Sequence, residues 1–295
     1  MDEQTMVDSH GVEVFSRSWP VDAPIGLVVI AHGASEHSGR YDRFATALNE
    51  VGFATVAIDH RGHGRTGEAT GPGLIGAGGG QAVIDDLHQL RAASVAKVAH
   101  GTPVFLFGHS MGALIGLAYL TQHADGLAGG VLCGMAADVN EAAGTGALLQ
   151  GFADAGMRDL PAGDLLAANN AAFDPARTPF DWLSRDTAEV DRYIADPFCG
   201  DGNPLTFGYL IDLFDVVGPA AEQLAAISCP VFVIAGDQDP AAAMGAHATA
   251  LATALAANGI EVECKIYQGA RHELLNETNR DEVTADIVTW LQSHL

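Results

Sequence analysis

Basic residues are scarce in this chain: 14 Lys and Arg stand against 37 Asp and Glu, leaving a formal net charge of −23. A field of that sign repels phosphate backbones and anionic lipid headgroups, which argues against a nucleic-acid-binding role. The acidity itself reads as a solvated, soluble surface. Cysteine is scarce as well. Cys133, Cys199, Cys229 and Cys264 are far apart and form no C-x-x-C pair, so neither a zinc site nor a disulfide framework is indicated. Cys133, Cys229 and Cys264 sit in apolar, strand-like context and read as buried fillers, whereas Cys199 lies in a turn-rich stretch and is flagged as near a site. No basic, apolar leader opens the chain, because Met1 to Asp8 is acidic and polar, and a cytoplasmic protein is expected. A long unbroken apolar run is also missing. The window from Val98 to Ala124 carries no formal charge and has the length of a membrane span, but Pro103, His100, His109, His123 and several glycines interrupt it.

That window divides at Gly108 into two pieces of different character. Pro103 to Phe107 is β-branched and aromatic, as in a fully buried strand, and Ser110 to about Gln122 is apolar at helical length. Between them Gly108-His-Ser-Met-Gly112 fits G-x-S-x-G, in which the flanking glycines let strand and helix approach while the serine backbone is sharply bent. Similar short apolar runs recur at Val12–Ser16, Gly26–Ala31, Ala54–Ile58, Gly130–Cys133, Val231–Ala235 and Val262–Ile266. Segments of helical length and spacing alternate with them at Arg43–Val51, Ala82–Val98, Ala241–Asn258 and Asp281–His294. Apolar runs without alternation mean strands covered on both faces, hence an α/β fold with a mostly parallel central sheet and helices on both sides. From 136 to 215 the rhythm breaks into an Ala-, Gly-, Asp- and Pro-rich stretch with helices around Ala147–Ala155 and Asp164–Asn170 and scattered aromatics. Structureless connections of that length are uncommon. The expectation is therefore a core at 1–135 and 216–295 with an inserted cap, or lid, at 136–215 that shapes a substrate site.

Ser110 needs a base to take its proton and an acid to orient that base. In this architecture the chain order is serine, acid, histidine. After the strand Val231–Ala235 comes Gly236-Asp-Gln-Asp-Pro240. Asp239 is preferred there as the acid, and Asp237 as a residue that bonds its own turn. After the last strand, Gly269-Ala-Arg-His272 supplies the base, His272. An oxyanion hole needs two backbone N–H groups, for which Met111, next to the nucleophile, and Ala34, after the strand ending at Ala31, are the candidates. Gly76 to Gly80 lacks a following Lys-Ser/Thr and reads as a flexible linker, and Asp85-Asp86 as a solvated helical face. No metal or organic cofactor is implied.

Taken together, His32-Gly-Ala-Ser-Glu-His-Ser-Gly-Arg-Tyr41, Asp59-His-Arg-Gly-His-Gly64, Gly108-His-Ser-Met-Gly112, Gly236-Asp-Gln-Asp239 and Gly269-Ala-Arg-His272 resemble the monoacylglycerol lipase and lysophospholipase branch of the α/β-hydrolases, from near residue 10 to the C-terminus. The stretch from Trp182 to Pro197 resembles the cap of that family. The resemblance implies a serine ester hydrolase acting on monoacylglycerols or similar monoesters, with transient lipid-interface contact through the cap and no stable insertion. It also implies that Glu36, Arg40, His109 and Tyr193 cluster near the glycerol head group. The elbow departs from the commoner pattern at Ala113, where the family more often has glycine. The rival readings are a broad carboxylesterase for small aliphatic or aromatic esters, cofactor-free perhydrolysis, and a ligand-binding protein on a hydrolase fold.

Overall fold

The computed structural model describes residues 1–295; the side chain of Asp164 lies outside the described residues. Eight strands form one sheet: β1 Asp2–Val7, β2 Glu13–Trp19, β3 Gly26–Ala31, β4 Phe53–Ile58, β5 Val104–His109, β6 Gly129–Cys133, β7 Val231–Gly236 and β8 Val262–Tyr267. Their spatial order is β1-β2-β4-β3-β5-β6-β7-β8, antiparallel at β1, β2 and β4 and parallel from β4 to β8. The helices are α1 Asp42–Glu50, α2 Gly64–Thr70, α3 Gly79–Val95, α4 Met111–His123, α5 Ala142–Asp154, α6 Gly163–Ala167, α7 Thr187–Ala195, α8 Phe207–Ala221, α9 Ala246–Ala257 and α10 Arg280–Ser293.

The five strands β3 to β7 are buried at every position, which is why their sequences are continuously apolar. Successive residues nevertheless serve opposite faces. Val28, Ile30, Phe105 and Phe107 pack with Phe44 and Leu48 of α1 and with Ile287 and Trp290 of α10. Val29, Ala31, Leu106 and Val233 pack on the other face with α3, α4, α8 and α9. Two separate cores thus hold the sheet between helical layers.

Several details differ from expectation. β1 carries DEQTMV, polar enough to hide as a strand, and is made one by antiparallel pairing with β2 at the sheet edge, where a solvated face is tolerated. Cys264 is exposed, because β8 is the opposite edge strand and reads VECKIY with mixed burial. Asp86 is not on a solvated face: it is buried and accepts from Arg61 Nε at 2.7 Å. The glycine run is not a linker either. It starts α3, and a Cβ on Gly80 would lie 2.0 Å from the Asp212 carbonyl oxygen of α8, so glycine there allows two helices to touch. Residues 241 to 245 form turns ahead of α9, with Ala243 and Met244 at positive φ. Helix α8 crosses residue 215 and packs on α3, α4 and α5.

Candidate active site

Strand β5 ends at His109 and α4 starts at Met111, so Ser110 alone makes the turn. Its backbone sits at φ 55°, ψ −115°, a conformation that costs energy for any residue with a side chain. Two neighbours make it affordable sterically. A Cβ on Gly108 would meet the Gly112 carbonyl oxygen at 2.2 Å, and one on Gly112 would meet that of Ala31 at 2.1 Å. The Ser110 N–H donates to the Cys133 carbonyl at 2.8 Å, anchoring the bend to β6. Strain held by surrounding structure is the usual condition of a functional serine at such an elbow.

The loops after β7 and β8 bring the predicted partners to this turn. His272 Nε2 lies 2.9 Å from Ser110 Oγ, and His272 Nδ1 lies 2.8 Å from Asp239 Oδ2. Asp239 is fully buried, and its other oxygen accepts from the N–H groups of Ala241 at 3.0 Å and Ala242 at 3.2 Å. The carboxylate is therefore fixed on both sides, which sets the Nδ1–H tautomer and leaves Nε2 free to accept from serine. Burial by itself would lower the His272 pKa, but the adjoining Asp239 carboxylate outweighs it and the net displacement is upward. Asp237 does not bond its own turn. Its Oδ1 accepts from the Gly269 N–H at 2.6 Å, tying the acid loop to the histidine loop.

Met111 is the first residue of α4, where backbone N–H groups have no intrahelical acceptor, and its side chain is buried in the core. Ala34 lines the cavity at Ser110 from the turn after β3. That turn is pinned by His32, whose Nδ1 contacts the Gly33 carbonyl at 2.7 Å and whose Nε2 accepts from the His60 N–H at 2.9 Å.

The four residues expected at an alcohol group are brought near one another but differ in what they have free. Glu36 is buried, with Oε1 accepting from the Gly33 N–H at 2.6 Å and the Tyr41 hydroxyl at 2.8 Å, and Oε2 from Arg40 at 2.7 Å. Burial would raise its pKa, yet the Arg40 cation holds it well below the ordinary carboxylate value. Arg40 also pairs with Glu273. Tyr193 donates its hydroxyl to the Ser35 carbonyl at 3.0 Å, and the Arg40 guanidinium lies over its ring at 4.8 Å. His109 lies beside His272 with the rings tilted and their centroids 4.8 Å apart, lines the cavity, and among the described residues no hydrogen bond engages its ring nitrogens. Burial, and then the neighbouring His272, lower its pKa to about 4, so it is neutral at pH 7.

A cavity partly open to solvent lies over Ser110. Much of its apolar wall comes from residues between β6 and β7: Leu166, Ala167, Pro179, Phe180, Trp182 and Leu183. Trp182 also faces the base, its ring 4.8 Å from that of His272. Neither Trp182 nor Glu273 was singled out as a site residue from sequence. Glu273 could have been suspected from its place next to His272, and Trp182 from opening the stretch that resembles the family's cap. Cys199 is buried on the far side of this wall, packed with Trp182 and Tyr193. Among the described residues, one group has the character of a metal site: His37, Asp196 and Cys199, with ligand atoms within 4.8 Å of one another. His37 Nδ1 accepts from the Gly39 N–H, which places the ring proton on Nε2, facing Asp196 at 3.0 Å. The nitrogen that would bind a cation is thereby protonated, and the trio is better described as a hydrogen-bonded tie between the insertion and the turn after β3.

A mostly parallel sheet with a serine at a strand-to-helix elbow after β5, and acid and histidine after β7 and β8, places the fold among the α/β-hydrolases. More narrowly, a family profile described as serine aminopeptidase, S33, matches residues 22–279, and the chain belongs to that hydrolase family. The chain is 30% identical over 300 residues to the monoacylglycerol lipase of Mycolicibacterium smegmatis, covering 99% of this chain and 98% of that protein. It is 31% identical over 282 residues to human monoglyceride lipase, covering 92% and 84% respectively. A thermostable carboxyl esterase from Bacillus coagulans, solved in complex with glycerol, superposes with a TM-score of 0.89 at 30% identity over 99% of this chain and 98% of that one. No helix is long and apolar enough to cross a membrane among the described residues.

Proposed function

We propose that the protein is a serine hydrolase of carboxylic esters, with monoacylglycerols or similar monoesters as substrates. The observation that carries this reading is the hydrogen-bonded chain from Ser110 Oγ through His272 to Asp239, set under a largely apolar cavity. Ser110 Oγ attacks the ester carbonyl carbon as His272 Nε2 takes its proton. The backbone N–H groups of Ala34 and Met111 face the oxygen that becomes negative. The bond to the alcohol oxygen then breaks, that oxygen receives the proton from His272, and an acyl-serine remains. Water attacks the acyl carbon with its proton passing to His272, the bond to Oγ breaks, and Oγ recovers the proton. Asp239 stabilises the imidazolium at each transfer.

The inserted segment acts as a lid that shapes the acyl pocket, since it supplies Leu166, Phe180, Trp182 and Leu183 to the wall. Leu148, Leu160, Leu165 and Ile194 are exposed on it, which suits transient contact with a lipid interface. His109, which lines the cavity and whose ring nitrogens no hydrogen bond engages among the described residues, is the best-placed partner for an alcohol hydroxyl. An aminopeptidase would need a free carboxylate for the substrate ammonium; Glu36 and Glu273 are both paired with Arg40, while Asp201 on the cavity wall pairs with no cation among the described residues. The likeness to a carboxyl esterase supports a broader ester range as the second reading.

The test is hydrolysis of a ladder of 1-monoacylglycerols, matched p-nitrophenyl esters and an aminoacyl p-nitroanilide, wild type beside Ser110→Ala. Turnover of the esters should fall by at least about three decades in the variant. Preference for glycerol esters at equal chain length marks a monoacylglycerol lipase, and indifference to glycerol marks a general carboxylesterase. Turnover of the anilide alone would replace the ester reading with peptide hydrolysis.

A further inference from the structure

Arg40 joins two carboxylates that belong to opposite halves of the site. Its Nη1 donates to Glu36 Oε2 at 2.7 Å and to Glu273 Oε1 at 2.5 Å, and its Nη2 donates to Glu273 Oε2 at 2.7 Å. Glu36 holds the turn after β3 through the Gly33 N–H, one residue before the Ala34 amide. Glu273 is the residue after His272. Its own N–H donates to the Leu183 carbonyl at 2.8 Å, and its Oε2 accepts from Asn276 Nδ2 at 3.0 Å. Both carboxylates are buried, at 3% and 5% exposure, so the guanidinium that compensates them cannot be exchanged for water without cost. A planar fork with two acceptors on one nitrogen and a bidentate partner has little freedom to turn, unlike an ammonium.

We propose that Arg40 is a positioning residue: gripping Glu36 and Glu273 together, it fixes the separation between the oxyanion-donor turn and the His272 loop, and Glu273 is the charge that this grip holds beside the base. The proposal rests on the serine-hydrolase reading above. It differs from recognition of the substrate alcohol, for which Arg40 is poorly placed. Arg40 lines not the cavity at Ser110 but a smaller pocket beside it, which shares Glu36, His109 and Glu273 with that cavity. The Tyr193 ring covers one face of the guanidinium, and Nη1 and Nη2 already serve carboxylates.

Two consequences follow. A looser clamp should slow every step that uses both the oxyanion donors and His272, including deacylation, which contains no alcohol. Glu273, by contrast, acts on His272 through charge. The base is faced by Ser110, the His109 ring, Trp182, the Asp239 carboxylate and, more distantly, Glu36 with its Arg40 partner. In this setting Glu273 adds to the negative charge that favours the imidazolium. Removing that charge should lower the pH at which His272 titrates.

The experiment compares wild type, Arg40→Lys and Glu273→Gln in three measurements: kcat and KM on a 1-monoacylglycerol and a p-nitrophenyl ester of the same acid, the deacylation rate after a burst, and the titration of the downfield His272 Nδ1–H resonance by proton NMR. Arg40→Lys should lose about tenfold or more in kcat on both esters and in deacylation, with KM nearly unchanged, as misplacement of preorganised groups does. Glu273→Gln should move the His272 titration to lower pH, and the acid limb of kcat/KM with it. A loss confined to the glycerol ester and residing in KM would overturn the proposal in favour of alcohol recognition by Arg40, and an unmoved titration would overturn the role of Glu273. Should Arg40→Lys fail to fold, the isosteric Glu273→Gln still decides through its titration. If wild type turns over no ester yet Ser110 reacts with a fluorophosphonate, the ester reading fails. Labelling rates and the NMR titration then still judge the clamp: slower labelling of Arg40→Lys supports it, and equal labelling overturns it.

Discussion

At the scale of single residues, the chemistry depends on how Asp239 is held. Its two oxygens are divided between the His272 ring and the amides of Ala241 and Ala242, so it cannot rotate away without losing partners. An amide in its place would keep the shape and offer N–H to Nδ1, forcing the wrong tautomer on the base. Asp239→Asn should therefore lower kcat by about four decades while leaving KM close to wild type. The acid limb should also move. His272 must be neutral to accept the serine proton, and burial alone would depress its pKa below the ordinary 6.5, so the upward displacement in the native site comes mainly from the Asp239 carboxylate. Without that charge the residual activity should persist to lower pH, and a pH profile of kcat/KM for the variant checks it. A residual activity that keeps the wild-type acid limb would mean that another group is being titrated.

At the scale of elements, the elbow is a three-way approach of β3, β5 and α4, and glycine is what permits it. A Cβ at position 112 would come within 2.5 Å of the His32 carbonyl as well as 2.1 Å of that of Ala31. Both atoms are backbone and cannot swing aside, so the helix would have to leave the sheet. Gly112→Ala should destabilise the fold by several kcal/mol, on the order of the large effects known for overpacking and strain, and should displace Ser110 from the Ala34 turn. Thermal melting together with the rate of fluorophosphonate labelling tests this. A melting temperature within a degree of wild type would show that the helix has room to shift. Helix α4 was legible from its unbroken apolar composition. The run Val262–Ile266 was legible as a strand too, but its place at the edge was not, because exposure of Cys264 and Glu263 depends on the absence of a further neighbour. Strand β1 was missed for the converse reason: its polar sequence becomes a strand by pairing with β2 rather than by its own pattern.

At the scale of the whole molecule, an acidic chain has folded around a set of uncharged imidazoles. Burial lowers the pKa of His32 and His60, lowers that of His63 to about 3, and lowers that of His109 to about 4. In the unfolded chain each would titrate near 6.5, so between that value and the lower native ones the unfolded state binds more protons. The stability these four contribute is present above pH 6.5 and is lost as pH falls toward 3. His272 works in the opposite sense: its raised pKa gives stability that is present below 6.5 and lost as pH rises through the native value. Burial lowers the His123 pKa as well, and with five groups against one the melting temperature should decline steadily from pH 6.5 to 4. Differential scanning calorimetry across that range decides it, and a flat curve would show that the imidazoles acquire protons without unfolding.

The sequence by itself determined the parts of this protein that are local. Continuous apolar runs specify buried strands, and the elbow pentapeptide specifies a strand, a turn and a helix. The chain order of Ser110, Asp239 and His272 follows from where strand ends must lie. Resemblance narrowed the chemistry to esters because motifs of ten residues carry more information than a single turn. Contacts between residues distant in the chain were decided only by tertiary structure. Asp86 looked solvated until Arg61 reached it, the glycines before α3 looked flexible until α8 lay against them, and Glu36 and Arg40 looked free for substrate until Glu273 closed the clamp. The physical reason is the same in each case. A side chain's partner is set by the packing of elements across the whole fold, and neither charge nor hydropathy at one position records which distant group will meet it.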